Sequence, residues 1–458
     1  SLTLLVATHE LGHLGFAKLF RVRVRRYYIF FNWKFSILKA KKFGGKWHFL
    51  FFNGKTPDSW DEKNLAPEDR DNTLWGLGWI PLGGYCDIAG MIDETKGADD
   101  LESTPQPWEY RTKPAWQRMF IICGGILVNF LSALLIYACI FAHWGKDELP
   151  LREASLGYDY HGILIDEGFQ NGDIIYAVDG KDMYEFAAAT TAILLDNPRQ
   201  VTVLRGDSLE NIAIGDDLLA RINQESPKNL MSPRMPFMVK SLVSGSNAEK
   251  AGLMGGDSIV SVNDTMMAAF SDITTFFRHH TGDTVLVGFV RSGSYMQLPV
   301  LIGEDGTIGV YPETDIPRLF KGYSHRDYTF MQAIPAGISH GWKTLVTYVT
   351  SLKILFSPGG TRNLGGFITM GSIFPPYWDW HAFWDITALL ALVLAFMNII
   401  PIPGLDGGHV MFTLWEMITG RKPSDKFLNV VQNIGLFLLL ALMIVANGND
   451  ILRLLGLM

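Results

Sequence analysis

Four stretches of the chain are long and apolar enough to cross a bilayer, and they constrain the fold more than anything else in it. They fall at roughly 2–20, 119–142, 383–400 and 427–445, each close to the ~20 residues that span a hydrocarbon core. Backbone in lipid must satisfy its own hydrogen bonds, so each should be helical. Hydrophobic residues make up 48% of the 458 and charged residues 19%, which fits a chain lying partly in lipid. The net charge of −7 argues against a nucleic-acid partner. Three cysteines make neither a disulfide framework nor a Cys-rich metal site. The chain opens at Ser1, close before His9, so the first helix is expected to have begun upstream; no cleavable leader is recognisable in what is present.

The first apolar stretch carries His9, Glu10, Leu11, Gly12 and His13, an H-E-x-x-H pattern. Helical residues four apart share a face, so His9 and His13 can offer two imidazoles to one zinc ion. Glu10 can then take a proton from a water at the open metal position. Two His and a Glu are costly in an apolar helix, and ionisable groups there mark function by default. A histidine pair satisfied inside a core is the alternative.

A third ligand is needed, and it is distant. Phe16 and Leu19 stand where a metzincin extension would need Gly and His. No Asp or Glu occurs between His13 and Asp58, so a thermolysin-like glutamate on the next helix is also excluded. In the third stretch, Pro401 and Pro403 break a helix at membrane depth, which is tolerated where freed carbonyls are buried in protein or line a wet cavity. Asp406 lies just beyond, flanked by Gly407 and Gly408. It is either the missing ligand or the N-cap of the helix that follows, and His409 is a weaker ligand candidate.

Between the first two spans, 21–118 is rich in Lys and Arg, as is 421–426, which places both on the cytoplasmic side. Short strands are expected at 22–31, 33–38 and 47–52, with turns at Gly44-Gly45 and Asn53-Gly54. A polar insert at 56–73 reads as a surface loop. Paired Gly83 and Gly84, before Tyr85, would let another backbone come close. Residues 168–180 and 252–264 repeat a Gly-Asp and an alternating strand. The segment 328–356, with Trp342, Tyr348, Lys343 and Lys353, has the composition of a helix at a membrane surface.

The H-E-x-x-H of the first span, the repeat after the second and the N-x-x-P-x-P-x-L-D-G-G of the third together resemble the site-2 protease family of intramembrane metalloproteases, in its bacterial RseP branch. Each repeat copy resembles a PDZ domain, with Ser246–Leu253 leading into the better match. The resemblance implies a multi-domain membrane protein: a four-helix transmembrane metalloprotease core, a membrane-associated β-sheet on its cytoplasmic side and two inserted PDZ-like domains. The expected segments are 1–20, the first transmembrane helix; 21–116, the sheet region; 117–143, the second helix; 150–232 and 233–315, the PDZ-like domains; 318–376, an interfacial helix and loop; 382–420, the broken third helix; and 427–447, the fourth. The resemblance further implies one zinc ion on His9, His13 and Asp406, Glu10 as base, and Asn398, Pro401 and Pro403 shaping the substrate cleft. Gly83, Gly84 and Tyr85 would hold the substrate extended. In the second span Ile126 stands where the family has proline, which bears on a local bend.

The expected activity is hydrolysis of single-span membrane proteins already trimmed by another protease, such as anti-sigma factors, with remnant signal peptides as further substrates. The expected setting is the bacterial inner membrane, in contact with lipid, as a monomer, with the active site toward the cytoplasm and the PDZ-like domains outside. No PDZ ligand is named by the sequence. A membrane scaffold with a vestigial metal site is the alternative. A transporter with a midplane ion site is weaker still, because paired inverted repeats are missing.

Overall fold

The computed structural model describes residues 1–91, 104–225, 227, 229–267, 269–356, 360 and 364–456. It divides into two compact units: Ser1–Gly145, Asp327–Val349 and Leu364–Met458 form one, Lys146–Arg326 and Thr350–Asn363 the other.

In the first unit, helices α1 (Leu2–Leu19), α2 (Ala115–Trp144), α3 (Phe330–Ser351), α4 (Trp380–Ile399), α5 (Asp406–Thr419) and α6 (Asp425–Leu454) surround the H-E-x-x-H pattern. Among the described residues, α2, α4 and α6 are long and apolar enough to cross a membrane. The expected first span, α1, falls short by composition, because His9, Glu10, His13 and Lys18 all lie within its 18 residues. It is sheltered by α2: a Cβ at Gly12 would collide with the Gly124 carbonyl, and one at Gly124 would lie 2.7 Å from the Gly12 oxygen. Bare backbones let the two helices touch, as small residues do in membrane bundles. Helix α2 runs unbroken through Ile126, so the missing proline leaves no break there. Helix α3 packs on α2 through Ala333, Gly337 and Gly341, four residues apart on one face; a Cβ at Gly337 would sit 2.5 Å from the Ala138 nitrogen.

Five strands follow α1: β1 (Val24–Phe31), β2 (Ser36–Phe43), β3 (Lys46–Asn53), β4 (Leu74–Leu77) and β5 (Ile80–Ile88). Their order is β3-β2-β4-β1-β5, so β5 is an edge. The expected strand at 33–38 is displaced to Ser36–Phe43, because Lys34 takes φ +66° and turns the chain. The insert at 56–73 forms three short 3-10 turns and is anchored by buried Trp60 and Leu65. Gly83 and Gly84 lie inside β5 and form no turn. The sheet is tied to α1 where the Tyr27 hydroxyl donates to the Ala7 carbonyl, 2.7 Å, two residues before His9.

The second unit holds two hydrophobic cores, one around Tyr158, Phe169, Ile175 and Val203 and one around Phe237, Ile259, Phe277 and Phe289. The sequence repeat is a structural repeat. In the first copy Asp173 accepts two hydrogen bonds from Arg205, at 2.9 and 2.7 Å, and Arg205 also donates to the Gly168 carbonyl, 2.9 Å. In the second, Asp257 accepts two from Arg291, both 2.7 Å, and Arg291 donates to the Gly252 carbonyl, 2.9 Å. The copies differ in one strand. Phe237–Leu242 joins the sheet of the second copy, whereas among the described residues its counterpart Tyr158–Tyr160 pairs with Met231–Pro233 in a separate ladder.

Candidate active site

The two histidines of α1 meet the start of α5 although nearly the whole chain separates them. His9 Nε2 and His13 Nε2 are 3.1 Å apart, and Asp406 Oδ2 lies 3.0 Å from the first and 3.3 Å from the second. His13 is oriented from behind: its Nδ1–H donates to the Ile121 carbonyl of α2, 2.9 Å. That proton on Nδ1 leaves the Nε2 lone pair facing the other two atoms. The amide of Asn129 stands 3.3 Å from His9 Nδ1, and its oxygen takes the Thr8 hydroxyl, 3.2 Å. The two amide ends are interchangeable; with the oxygen toward the ring, Asn129 accepts Nδ1–H and holds His9 in the matching tautomer. Gly125 makes room, since a Cβ there would be 2.6 Å from His13 Nε2 and 2.7 Å from His9 Cε1.

Asp406 Oδ2 is buried with no hydrogen-bond partner. Three acceptor atoms thus face one point, an arrangement that fits a bound cation. Ligands about 2.0–2.1 Å from a tetrahedral zinc lie about 3.3 Å from one another, which the observed 3.0–3.3 Å separations approach. These are also the three residues whose ligand atoms cluster tightly enough to hold a metal among the described residues. The N-cap alternative for Asp406 fails: the cap is Leu405, and Asp406 is already inside α5.

The local sequence explains how Asp406 arrives there. Helix α4 ends at Ile399, where Pro401 and Pro403 follow, and the chain doubles back under itself. A Cβ at Gly407 would overlap the Ile400 carbonyl, and one at Gly408 would lie 2.9 Å from the Ile402 oxygen. Both glycines are therefore required for the first turn of α5.

A cavity of about 300 Å³ opens on this point, lined by His9, Glu10, His13, Gly83, Gly84, Tyr85, Asn398 and Asp406, with Gln432 and His409 also on its walls. The sequence-derived set is thus brought together apart from Pro401 and Pro403, which build the break without lining the cavity. Asn398 is buried, with its amide nitrogen 3.4 Å from His9 Nε2. Tyr85 stacks on Tyr28 at 5.1 Å, and its hydroxyl donates to the Asn32 side chain, 3.3 Å. Burial, with the neighbouring Tyr28, pushes its phenol up to about 12, so Tyr85 remains a neutral donor.

One expectation needs revision. The bare Gly84 backbone is used against its own sheet, since a Cβ there would overlap the Tyr28 carbonyl of β1. A side chain at Gly84 would therefore break the sheet before it obstructed an incoming strand. Sequence reasoning did not single out Asn129, Gly125 or Gln432 as site residues. Asn129 and Gln432 carry the same signal, a carboxamide within an apolar helix.

Residues 62–442 match peptidase family M50. The chain belongs to that family. The match covers most of the chain, including Asp406, while His9 to His13 lie before it. A protein of Neisseria meningitidis named as a candidate zinc metalloprotease is 26% identical, over 100% of this chain and 98% of its own length. Protease RseP of Yersinia pestis is 26% identical, over 99% of this chain and 97% of its own length. The regulator of sigma-E protease RseP of Escherichia coli K12 is 25% identical with the same coverage. The M50 peptidase is therefore similar to these proteins from end to end, its inserted repeat included.

Proposed function

We propose that this M50 peptidase is a zinc metalloendopeptidase that cleaves single-span membrane proteins within or at the edge of the bilayer. The observation that carries the reading is the convergence of His9 Nε2, His13 Nε2 and Asp406 Oδ2 on one point beside Glu10, in a cavity shared with an edge strand. Zinc held by those three residues would supply a Lewis acid that polarises the scissile carbonyl and acidifies water. Glu10 accepts the proton from the attacking water and returns it to the leaving amine. Asn129 and the Ile121 carbonyl keep the two imidazoles in the right tautomers.

A helical substrate hides its carbonyls in its own hydrogen bonds, so the scissile segment must unwind. Pairing with the open edge of β5 at Gly83, Gly84 and Tyr85 replaces the bonds lost, which matters because each unsatisfied backbone group in lipid costs several kcal/mol. Asn398 holds the peptide near His9, and Pro401 and Pro403 keep the cleft open by preventing helix there. The basic segments 21–118 and 421–426 face the cytoplasm. The two repeat domains, read as PDZ-like, lie outside and select substrates whose external part has already been shortened, as with the anti-sigma-factor substrates that relatives named as sigma-E regulators suggest.

The test is cleavage of a single-span substrate by purified protein, in trimmed and untrimmed forms. One zinc per chain, loss of activity on chelation with recovery on adding zinc, and preference for the trimmed form are expected. Metal-free protein that cleaves at full rate would refute the reading, and protein that binds no zinc and cleaves nothing would favour a scaffold role.

A further inference from the structure

One wall of the catalytic cavity carries a polar group that the mechanism above leaves unused. Gln432, on α6, lines the same cavity as His9, Glu10, Gly84 and Asp406. Helix α6 is strongly apolar around it, yet Gln432 is half-buried and makes no hydrogen bond to any described residue. An amide desolvated without a partner costs about 1–3 kcal/mol. The other amide on the cavity wall, Asn398, lies on the His9 side, 3.4 Å from its Nε2, and is assigned above to holding the peptide there.

The position of Gln432 is fixed relative to the metal ligands. One turn further along α6, a Cβ at Gly435 would overlap the Pro403 carbonyl, and a Cβ at Gly404 would lie 3.2 Å from the Leu436 nitrogen. Helix α6 therefore rests directly on the segment that delivers Asp406. A peptide strand added to β5 satisfies only one of its edges. Successive N–H and C=O groups along its other edge face away from β5, in a setting where unpaired backbone is costly. A glutamine side chain ends in the same donor and acceptor pair as a peptide group.

We propose that Gln432 binds the substrate backbone, its amide pairing with the N–H and C=O on the free edge of a strand whose opposite edge pairs with β5. The ligand is an extended peptide of any sequence, read by its main chain. This rests on the strand-addition reading above.

The test compares full-length wild type with Gln432→Met, which keeps length and apolar packing but loses both hydrogen-bonding groups. Substrates are transmembrane peptides in which one backbone amide at a time is replaced by an ester, deleting a single N–H. Gln432→Met should cleave the all-amide substrate about tenfold more slowly, with zinc content and melting temperature unchanged. In wild type, esters should slow cleavage at the alternating positions whose N–H faces β5 and at one position whose N–H faces away. In Gln432→Met, that outward penalty should vanish while the β5-facing penalties persist. Wild-type rates in the variant, or a uniform loss with every ester penalty retained, would overturn the role of Gln432 alone. Absence of any ester penalty in wild type would overturn strand addition, and this proposal with it.

Discussion

The two units treat buried charge in opposite ways. In the inserted repeat, Asp173 and Asp257 are buried, yet each is closed off by a two-pronged arginine, Arg205 or Arg291, and by a backbone N–H, Gln170 or Met254. Near α1, His9 and His13 are buried and Asp406 is half-buried, yet the three direct their free electron pairs at one another. A carboxylate satisfied by its own chain has a structural task, whereas one left with unmatched acceptors has a ligand to hold. The same residue type, asparagine or aspartate in a buried place, thus carries different meaning according to where its donors are.

The sharpest way to break this contrast is at Glu10. Glu10→Gln should lower cleavage by about 10²–10⁴-fold, the usual worth of a general base, while metal analysis still finds zinc. Turnover near wild type would refute its role. Asp406→Ala should reduce cleavage as severely but by a different route, because bound zinc itself falls; full occupancy in that variant would move the third ligand elsewhere, with His409 first in line.

The paired side of the comparison predicts stability effects instead. Asp257→Ala leaves Arg291 uncompensated and should destabilise the second repeat domain by about 2–3 kcal/mol, less than the ~3–5 kcal/mol for a fully buried pair because Arg291 reaches solvent. Hydrogen exchange confined to 233–315 would read it, with zinc content unchanged. Between the two classes stands Asn129, which touches His9, a proposed metal ligand, without being one. Asn129→Leu should weaken zinc binding about 10–100-fold in a competition titration and leave the repeat domains untouched.

Acid should produce the smallest effect. Burial alone would raise the Asp257 carboxyl, but hydrogen bonds from Arg291 and the Met254 N–H, with the arginine charge, hold it below the ordinary carboxylate range. A depressed folded value means the stabilisation is complete above the unfolded value near 4 and is lost as pH falls through the lower folded one. Exchange protection of 233–315 should therefore be flat down to about pH 4 and decline below it in wild type. The decline should be shallower in Asp257→Asn.

Much of the site could be read without coordinates because its chemistry is locally encoded. His9 and His13 share a face through helical spacing alone, and the proline break before Asp406 and the repeated Gly-Asp are equally local. The ends of α1, α2 and α4 fell within four residues of the expected spans for the same reason, whereas α6 runs on to Leu454, well past the expected end at 445. The sheet was harder. Apolar alternation at 33–38 suggested a strand, but the left-handed Lys34 moved it to Ser36–Phe43, and nothing local marks a lysine for that conformation. At Gly84 the residue type indicated close approach but could not say to which partner.

By itself the sequence determined which atoms can bind a metal, which segments suit lipid and where the chain repeats, since each depends on residues within a few turns of one another. Tertiary structure alone decided that Asp406 meets His9 and His13 and is no helix cap, that β5 is an edge beside it among the described residues, and that Asn129 lies against His9 and Gln432 reaches the cavity. Those facts depend on how α2 meets α1 at Gly12, Gly124 and Gly125, and on how α6 meets the segment around Pro403 at Gly435. Such contacts join residues far apart in the chain, and helical periodicity carries no information about which distant surface a glycine will meet.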